Sequence, residues 1–311
     1  VSARQLIILG TASQAPTRYR AHNGFVLRWD DQLILFDPGE GAQRQCLLAG
    51  IAVARLTAVC ITHFHGDHCL GLPGIIQRRA LDARSSAEGL PPLPVFHPAD
   101  GAEYLDRMRR STVFHDTSDL QPRPIDGPGR VATLGRFELS AQELVHRITT
   151  VGYRLTEPDG SGLIRSRLRS RGIAGPDVGR LIDQGFLETP RGRVELAEVS
   201  EPRPGQAMAF VMDTVPCAGA ETLAAGADLA VLESTYLDEH RHLAAEYGHL
   251  TAAQAGALAA RVGVRRLVLG HFSARYNEPG VFAAEAAAHH DDVVEAEDLM
   301  VVDVPPRPDP G

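Results

Sequence analysis

Thr62-His63-Phe64-His65-Gly66-Asp67-His68 is the stretch on which the reading of this chain turns. Four potential metal ligands, His63, His65, Asp67 and His68, fall within six residues, directly after an apolar run over 56–61 that reads as a buried strand. Alternate residues of an extended segment face the same side, so His63 and His65 can grip one ion together. The chain must then turn, as Gly66 would permit, to bring Asp67 and His68 onto a second ion. Neutral imidazoles mixed with a carboxylate suit Zn²⁺, with Mn²⁺ or Fe as alternatives. The competing reading, a chance group of solvated loop histidines, does not explain why the cluster sits at the end of a rigid apolar strand.

Working outward, residues 6–9, Gly24–Trp29 and Gln32–Phe36 read as strands. The last runs into Asp37-Pro38-Gly39-Glu40-Gly41, a strand ending in a Gly/Pro turn, with a helix expected from about Ala42. Pro73-Gly74-Ile75-Ile76 opens a second helix with proline in its first turn. Residues 88–98 and 121–129 are rich in Pro and Gly and are expected to be loops. Strand-like segments return at 137–140, 208–212, 229–232 and 266–269, and an Ala-rich helix is expected over 252–262. Strands at both ends with helices between them imply α/β layers rather than a purely parallel sheet. Residues 156–204 are polar, Arg-rich and Gly/Pro-punctuated, and read as an arm inserted into a single domain spanning 1–311.

At 311 residues, 44% hydrophobic and 23% charged, the composition is that of a soluble enzyme. No apolar run approaches the roughly 18–20 residues of a membrane span. The short apolar segment near the N-terminus reads as a strand rather than a secretory signal, so the cytoplasm is the expected compartment. Cys46, Cys60, Cys69 and Cys217 form no C-x-x-C pair and read as small buried hydrophobes rather than a disulfide framework. Cys69 is the one to watch, because it follows a candidate ligand. The net charge of −8 argues mildly against a nucleic-acid partner. Charge is uneven, however: residues 164–180 hold Arg165, Arg167, Arg169, Arg171 and Arg180 against Asp177 alone.

The H-x-H-x-D-H pattern resembles that of the metallo-β-lactamase superfamily. The resemblance implies an α/β metallo-β-lactamase fold, a four-layer αβ/βα sandwich, here with a projecting flexible arm. It also implies later ligands at strand ends: His146, Asp213 and His271. On this resemblance His63, His65 and His146 hold one metal, Asp67, His68 and His271 the other, and Asp213 bridges them. Asp37 suits a supporting role, orienting a bound histidine by hydrogen bond. Two ions about 3.5–4 Å apart lower the pKa of a shared water and stabilise both oxygens of an in-line displacement, with Asp67 as part of that catalytic centre. The leaving group needs a proton, for which Glu233, at a strand end, and His249, before the Ala-rich helix, form a candidate pair.

Within the superfamily the chain is most similar to the ribonuclease Z family. Leu9-Gly10-Thr11, Pro16-Thr17-Arg18-Tyr19-Arg20, residues 37–43, Gly152-Tyr153-Arg154, Met212-Asp213-Thr214 and Glu233-Ser234-Thr235-Tyr236 all resemble that family, and His271-Phe272-Ser273-Ala274-Arg275-Tyr276 is the most specific match. Ala174-Gly175-Pro176-Asp177-Val178-Gly179-Arg180 lies where the family carries its Gly-Pro arm. Departures are Met212 for glycine, Leu250 after the histidine, and Arg18 and Ala21 for Lys and Asn near the N-terminus. The resemblance implies a zinc-dependent endonuclease, two ions per subunit, that removes the 3′ trailer of precursor tRNA. The products are a 3′-hydroxyl on the tRNA and a 5′-phosphate on the trailer. It further implies a homodimer, and substrate contacts through Arg18, Arg20, Gly175, Pro176, Arg180, Ser273 and Arg275. Two alternatives stand beside it: a small-molecule phosphodiesterase or esterase of the same fold, and a non-catalytic RNA-binding relative, which would be expected to lose at least one ligand.

Overall fold

Two seven-stranded sheets dominate the computed structural model, which describes residues 4–306. The first runs in the order Val301–Asp303, Arg4–Gly10, Gly24–Trp29, Gln32–Phe36, Ala58–Cys60, Leu93–Pro98, Leu120–Ile125. Its first three pairings are antiparallel and its last three parallel. The second repeats the pattern: Val293–Glu295, Arg266–Gly270, Leu229–Glu233 and Ala207–Val211 are parallel. Thr150–Thr156, Phe137–Leu144 and Gly129–Leu134 then follow antiparallel. The sheets are mixed, as strands buried on both faces need helical crossovers while hairpins do not.

Large side chains from the two sheets fill the space between them. Phe36 stacks on Phe210 with ring centroids 4.6 Å apart, Phe25 meets Phe210 edge-on at 5.4 Å, and Trp29 meets Phe137 at 6.4 Å. Full burial of rings of this size makes this layer the main source of stability, each removing about 150–250 Å² from water. On its outer face the first sheet is covered by helices Ala42–Leu48 and Leu72–Ser85, through Cys46, Leu72, Ile75 and Ile76 against Val26, Leu35 and Val59. Helices Ala218–Ala224, Ala252–Arg261 and Val281–Ala286 cover the second. The result is helix, sheet, sheet, helix, the four layers of a metallo-β-lactamase fold.

Two segments expected to be loops are strands. Leu93–Pro98 and Leu120–Ile125 extend the parallel edge of the first sheet despite Pro94, Pro98, Pro122 and Pro124. Leu120–Ile125 is the outermost strand, with one side free of ladder partners, which is where proline is tolerated. The strand expected over 56–61 is shorter, Ala58–Cys60, because Val53–Arg55 closes a 3₁₀ turn before it. The cysteine reading holds for Cys46, Cys60 and Cys69, whereas Cys217 is only half-buried. Burial pushes the Cys69 thiol up to about 12, and its Sγ donates to the His65 carbonyl.

By chain contacts the described residues form two compact units: one from the residues up to Thr156 with Ala207–Pro305, the other centred on Glu157–Gln206. The second has elements that a polar, weakly periodic reading of 156–204 does not anticipate. Gly160–Leu163 pairs with Ser200–Arg203, Phe186–Thr189 pairs with Gly192–Glu195, and helices Arg165–Ser170 and Pro176–Gln184 lie between. Leu168, Ile173, Leu181, Leu187, Val194 and Val199 form its small core, too widely spaced along the chain to register in any one window. Gly175 adopts φ 57°, ψ −132°, open only to glycine, and Pro176 starts the helix behind it. No helix among the described residues is long and apolar enough to cross a membrane.

Candidate metal centre

Parallel strands deliver their carboxyl ends to one edge of a sheet, where side chains can converge without breaking a ladder. Asp37 follows Gln32–Phe36, the histidine stretch follows Ala58–Cys60, Asp213 follows Ala207–Val211, Glu233 ends Leu229–Glu233, and His271 follows Arg266–Gly270. Asp37, Asp213 and His271 each take a positive φ, at 44°, 46° and 62°. Such backbone is uncommon outside glycine and costs about 1–3 kcal/mol per residue, so it persists only where surrounding contacts enforce it. The turn after His65 is different from the expectation. It comes from extended backbone at His65 (φ −69°, ψ 150°) entering the helix Gly66–Cys69, not from left-handed freedom at Gly66. Val151 N–H donates to the Thr62 carbonyl (3.0 Å) and Tyr153 O–H to that of Ile61 (2.7 Å), tying the second sheet to the histidine stretch.

The structure brings all seven expected ligands together. His63 Nε2 lies 3.0 Å from His65 Nδ1, His146 Nε2 3.4 Å from His65 Nδ1, and both Nε2 atoms 3.6 Å from Asp213 Oδ2. In a second set, His68 Nε2 is 3.1 Å from His271 Nε2, and Asp67 Oδ2 is 3.4 and 3.3 Å from the two. Asp213 faces this set with its other oxygen, Oδ1, at 3.3 Å from His68 and 3.2 Å from His271. One carboxylate thus spans two four-atom clusters.

The tautomers follow from the outer contacts. Thr62 Oγ1 donates to Asp37 Oδ2 (2.8 Å), so His63 Nδ1–H donates to Thr62 Oγ1 (3.0 Å). Likewise Thr235 Oγ1 donates to Glu233 Oε2 (2.7 Å) and accepts from His271 Nδ1–H (2.8 Å). His146 Nδ1–H donates to the Gly248 carbonyl (2.9 Å), and His68 Nδ1 lies 2.8 Å from Asp37 Oδ2. The inward Nε2 atoms of His63, His146 and His271 therefore present lone pairs to the cluster, an arrangement suited to a cation.

The residues fit a metal. Zinc bonds of roughly 2.0–2.1 Å in a tetrahedron hold their donors roughly 3.3 Å apart, the spacing found in both clusters. Asp213 Oδ1 is buried with no hydrogen-bond donor, a costly state for a carboxylate that has no counter-charge. Burial, with repulsion from neighbouring imidazoles, lowers the pKa of His63 and His65, and burial likewise lowers that of His146, favouring the neutral form that coordinates. His68 goes the other way: burial opposes its charge, but Asp213, Asp67 and Asp37 outweigh it. That surplus of negative charge about one buried imidazole is what a dication would neutralise.

Beside the clusters, His249 Nδ1 lies 3.0 Å from Glu233 Oε1 and 3.9 Å from Asp213 Oδ2. Burial disfavours its charge, yet Glu233 and Asp213 overcome this and bring the imidazole up to about 9. Thr251 caps the helix Ala252–Arg261, its side chain accepting from Gln254 N–H while Gln254 reaches back to the Thr251 N–H. That capping box anchors the segment carrying His249.

A model of the metallo-beta-lactamase superfamily matches residues 17–182. A Ribonuclease Z of Salinispora arenicola is 54% identical over 308 residues, covering 99% of this chain and 98% of that protein. One from Thermobifida fusca is 52% identical over 316 residues, covering 100% and 98%. The chain belongs to the ribonuclease Z family. In fold it is similar to human tRNase Z, short form, at TM-score 0.65 and 24% identity, covering 97% of this chain and 99% of that one. Yeast long-form RNase Z gives TM-score 0.70 at 15% identity, over 97% of this chain and 42% of that one.

Around the clusters is a cavity of about 640 Å³ whose lining includes Ser273 and Arg275, from the 271–276 stretch on which the family resemblance leaned most. Arg20 is placed otherwise: half-buried, it donates to the Tyr276 carbonyl (2.9 Å) and lies over the Phe272 ring, bracing that same stretch. Arg18 is exposed and does not line the cavity. Gly175, Pro176 and Arg180 belong to the other unit, where Arg180 pairs with Asp177. The sequence reading missed Thr62 and Thr235, the hydroxyls that relay Asp37 and Glu233 to the candidate ligands His63 and His271. Their only signal is position, one residue before His63 and two after Glu233.

Replacing Asp37 with alanine should weaken metal affinity by about 10- to 100-fold, since it frees both His68 and the Thr62–His63 pair to rotate. Competition with a chromophoric chelator would measure it, and affinity unchanged within threefold would refute the supporting role.

Proposed function

We propose that this protein is a zinc-dependent endoribonuclease that removes the 3′ trailer from precursor tRNA. The observation that carries the reading is Asp213 facing one donor cluster with each carboxylate oxygen, with the His249–Glu233 pair alongside. In this reading His63, His65, His146 and Asp213 hold one ion, and Asp67, His68, His271 and Asp213 the other. The all-nitrogen and carboxylate donor set suits Zn²⁺, with Mn²⁺ as the alternative. Two such dications supply the Lewis acidity that lowers the pKa of water and offsets charge on the phosphoryl oxygens.

The chain's own residues do the rest. His249, kept protonated by Glu233, delivers its proton to the departing 3′ oxygen, leaving a 3′-hydroxyl on the tRNA and a 5′-phosphate on the trailer. Ser273 and Arg275 at the cavity rim take the RNA backbone. The unit centred on Glu157–Gln206 serves as the clamp for folded tRNA, with Gly175 and Pro176 shaping its second helix. Arg165, Arg167 and Arg169, which have no carboxylate partner among the described residues, together with Arg180, meet phosphates. The protein works as a homodimer in the cytoplasm, as expected of an enzyme acting on newly made tRNA.

Cleavage of a 3′-extended precursor tRNA tests this, with Asp67→Ala and metal-stripped protein as controls. A cut beside the discriminator nucleotide, lost in both controls, is the expected result. An intact precursor together with hydrolysis of bis-p-nitrophenyl phosphate would sink the tRNA reading and favour a small-molecule phosphodiesterase.

A further inference from the structure

Two residues of the cavity lining have no role in the chemistry above. Arg147 follows the ligand His146 directly, and Tyr247 precedes His249 by two residues. The Arg147 guanidinium lies 5.6 Å from the centroid of the Tyr247 ring, and Tyr247 is still 38% exposed. Arg147 has no ion pair or hydrogen bond among the described residues, in a chain with net charge −8. A cation left without a carboxylate in such a chain, at the rim of a metal centre, is suited to a phosphate.

The two are held in register with the metal centre by the backbone. Gly248 takes φ 81°, and its carbonyl accepts from His146 Nδ1–H (2.9 Å). A Cβ at Gly248 would stand 2.8 Å from that same nitrogen, so only glycine allows the approach. Three consecutive residues thus carry three tasks: Tyr247 offers a ring, Gly248 orients a ligand, and His249 holds a proton.

We propose that Tyr247, backed by Arg147, is the stacking seat for the base of the last tRNA nucleotide, with Arg147 holding an adjacent phosphate. The reasoning rests on the tRNA 3′-endonuclease reading and extends it to a named subsite. His249 must face the leaving 3′ oxygen, and the ribose bearing that oxygen belongs to this nucleotide. Its base is therefore the one brought nearest the segment that carries Tyr247. An aromatic face is sequence-tolerant, because every base has a π-surface, which suits an enzyme that meets different bases at this position.

The test uses two precursors, one intact and one with an abasic residue at the discriminator position, cleaved by wild type, Tyr247→Phe and Tyr247→Ala. On the intact precursor Tyr247→Ala should raise KM about 10- to 100-fold with a smaller change in kcat, and Tyr247→Phe should stay near wild type. Wild type should lose a similar factor on the abasic precursor, where Tyr247→Ala should lose little more. Arg147→Ala should reduce the slope of log KM against log salt by about 0.7–0.9, the share of one phosphate. A Tyr247→Ala penalty of equal size on both precursors would overturn the seat, as would a Tyr247→Phe enzyme as impaired as the alanine variant. Metal content and melting midpoint of each variant identify any that misfolds, in which case the Tyr247→Phe and Arg147→Ala comparisons decide. Wild type that cleaves neither precursor would overturn the parent reading instead, and the seat with it.

Discussion

Asp213→Ala is expected to abolish precursor cleavage, lowering kcat by on the order of 10³-fold or more, because the two clusters share this one carboxylate. Its oxygens stand 3.2–3.6 Å from the nitrogens of His63, His146, His68 and His271. Alanine removes a donor from each set and, if each set holds a dication as proposed, the negative charge that would offset their mutual repulsion. Metal per subunit should fall below two equivalents, read by elemental analysis after gel filtration. Asp213→Asn, which keeps the shape and one coordinating oxygen without the charge, should lie between. Retention of both ions and of kcat within tenfold in the alanine variant would show that Asp213 is not the shared ligand.

His249→Ala should reduce kcat on precursor tRNA by about 10²–10⁴-fold, the range for loss of a positioned acid. The size should depend on the leaving group. A ribose 3′ oxygen needs a proton as it departs, whereas p-nitrophenolate leaves unaided, so the loss on bis-p-nitrophenyl phosphate should be much smaller. An equal loss on both substrates would mean that His249 supports the metal centre instead. The pH profile gives an independent reading. The imidazole is raised to about 9 by Glu233 and Asp213 against the effect of burial, so its acid form persists through neutral pH and is lost as pH rises. The alkaline limb of kcat should therefore report it, below 9 where bound metal absorbs part of the Asp213 charge. Glu233→Gln removes the largest upward influence and should move that limb to lower pH, shrinking activity at pH 8 more than at pH 6.

The histidine stretch was legible because its ligands are adjacent and its spacing matches extended backbone entering a turn. His146, Asp213 and His271 carry no such local pattern. A lone residue after an apolar run becomes a ligand candidate only through resemblance to a family in which such positions coordinate. Strand prediction failed at Leu93–Pro98 and Leu120–Ile125, where proline content signals a loop; the sheet edge tolerates the prolines of the outermost strand, Leu120–Ile125, whereas Leu93–Pro98 lies between two partners. It also failed across 157–206, where six buried apolar residues scattered over the segment form a core that no short window detects. Arg20 enters as a substrate contact only through the family resemblance of residues 16–20, and in the fold it is half-buried and turns back onto Tyr276 and Phe272.

By itself, then, the sequence determined the α/β layering and the candidate ligands of the 63–68 stretch, from local periodicity and residue types at short spacing, and, through the resemblance of its motifs, the family and the later candidates His146, Asp213 and His271. The tertiary structure decided which oxygen of Asp213 faces which cluster and which ring nitrogen points inward. It also decided which hydroxyls relay Asp37 and Glu233, and that Arg147 and Tyr247 meet across 100 residues at the cavity rim. Those are relations between strand ends remote in the chain. They are settled by sheet order and by left-handed backbone at three strand ends, and neither leaves a periodic trace in the sequence.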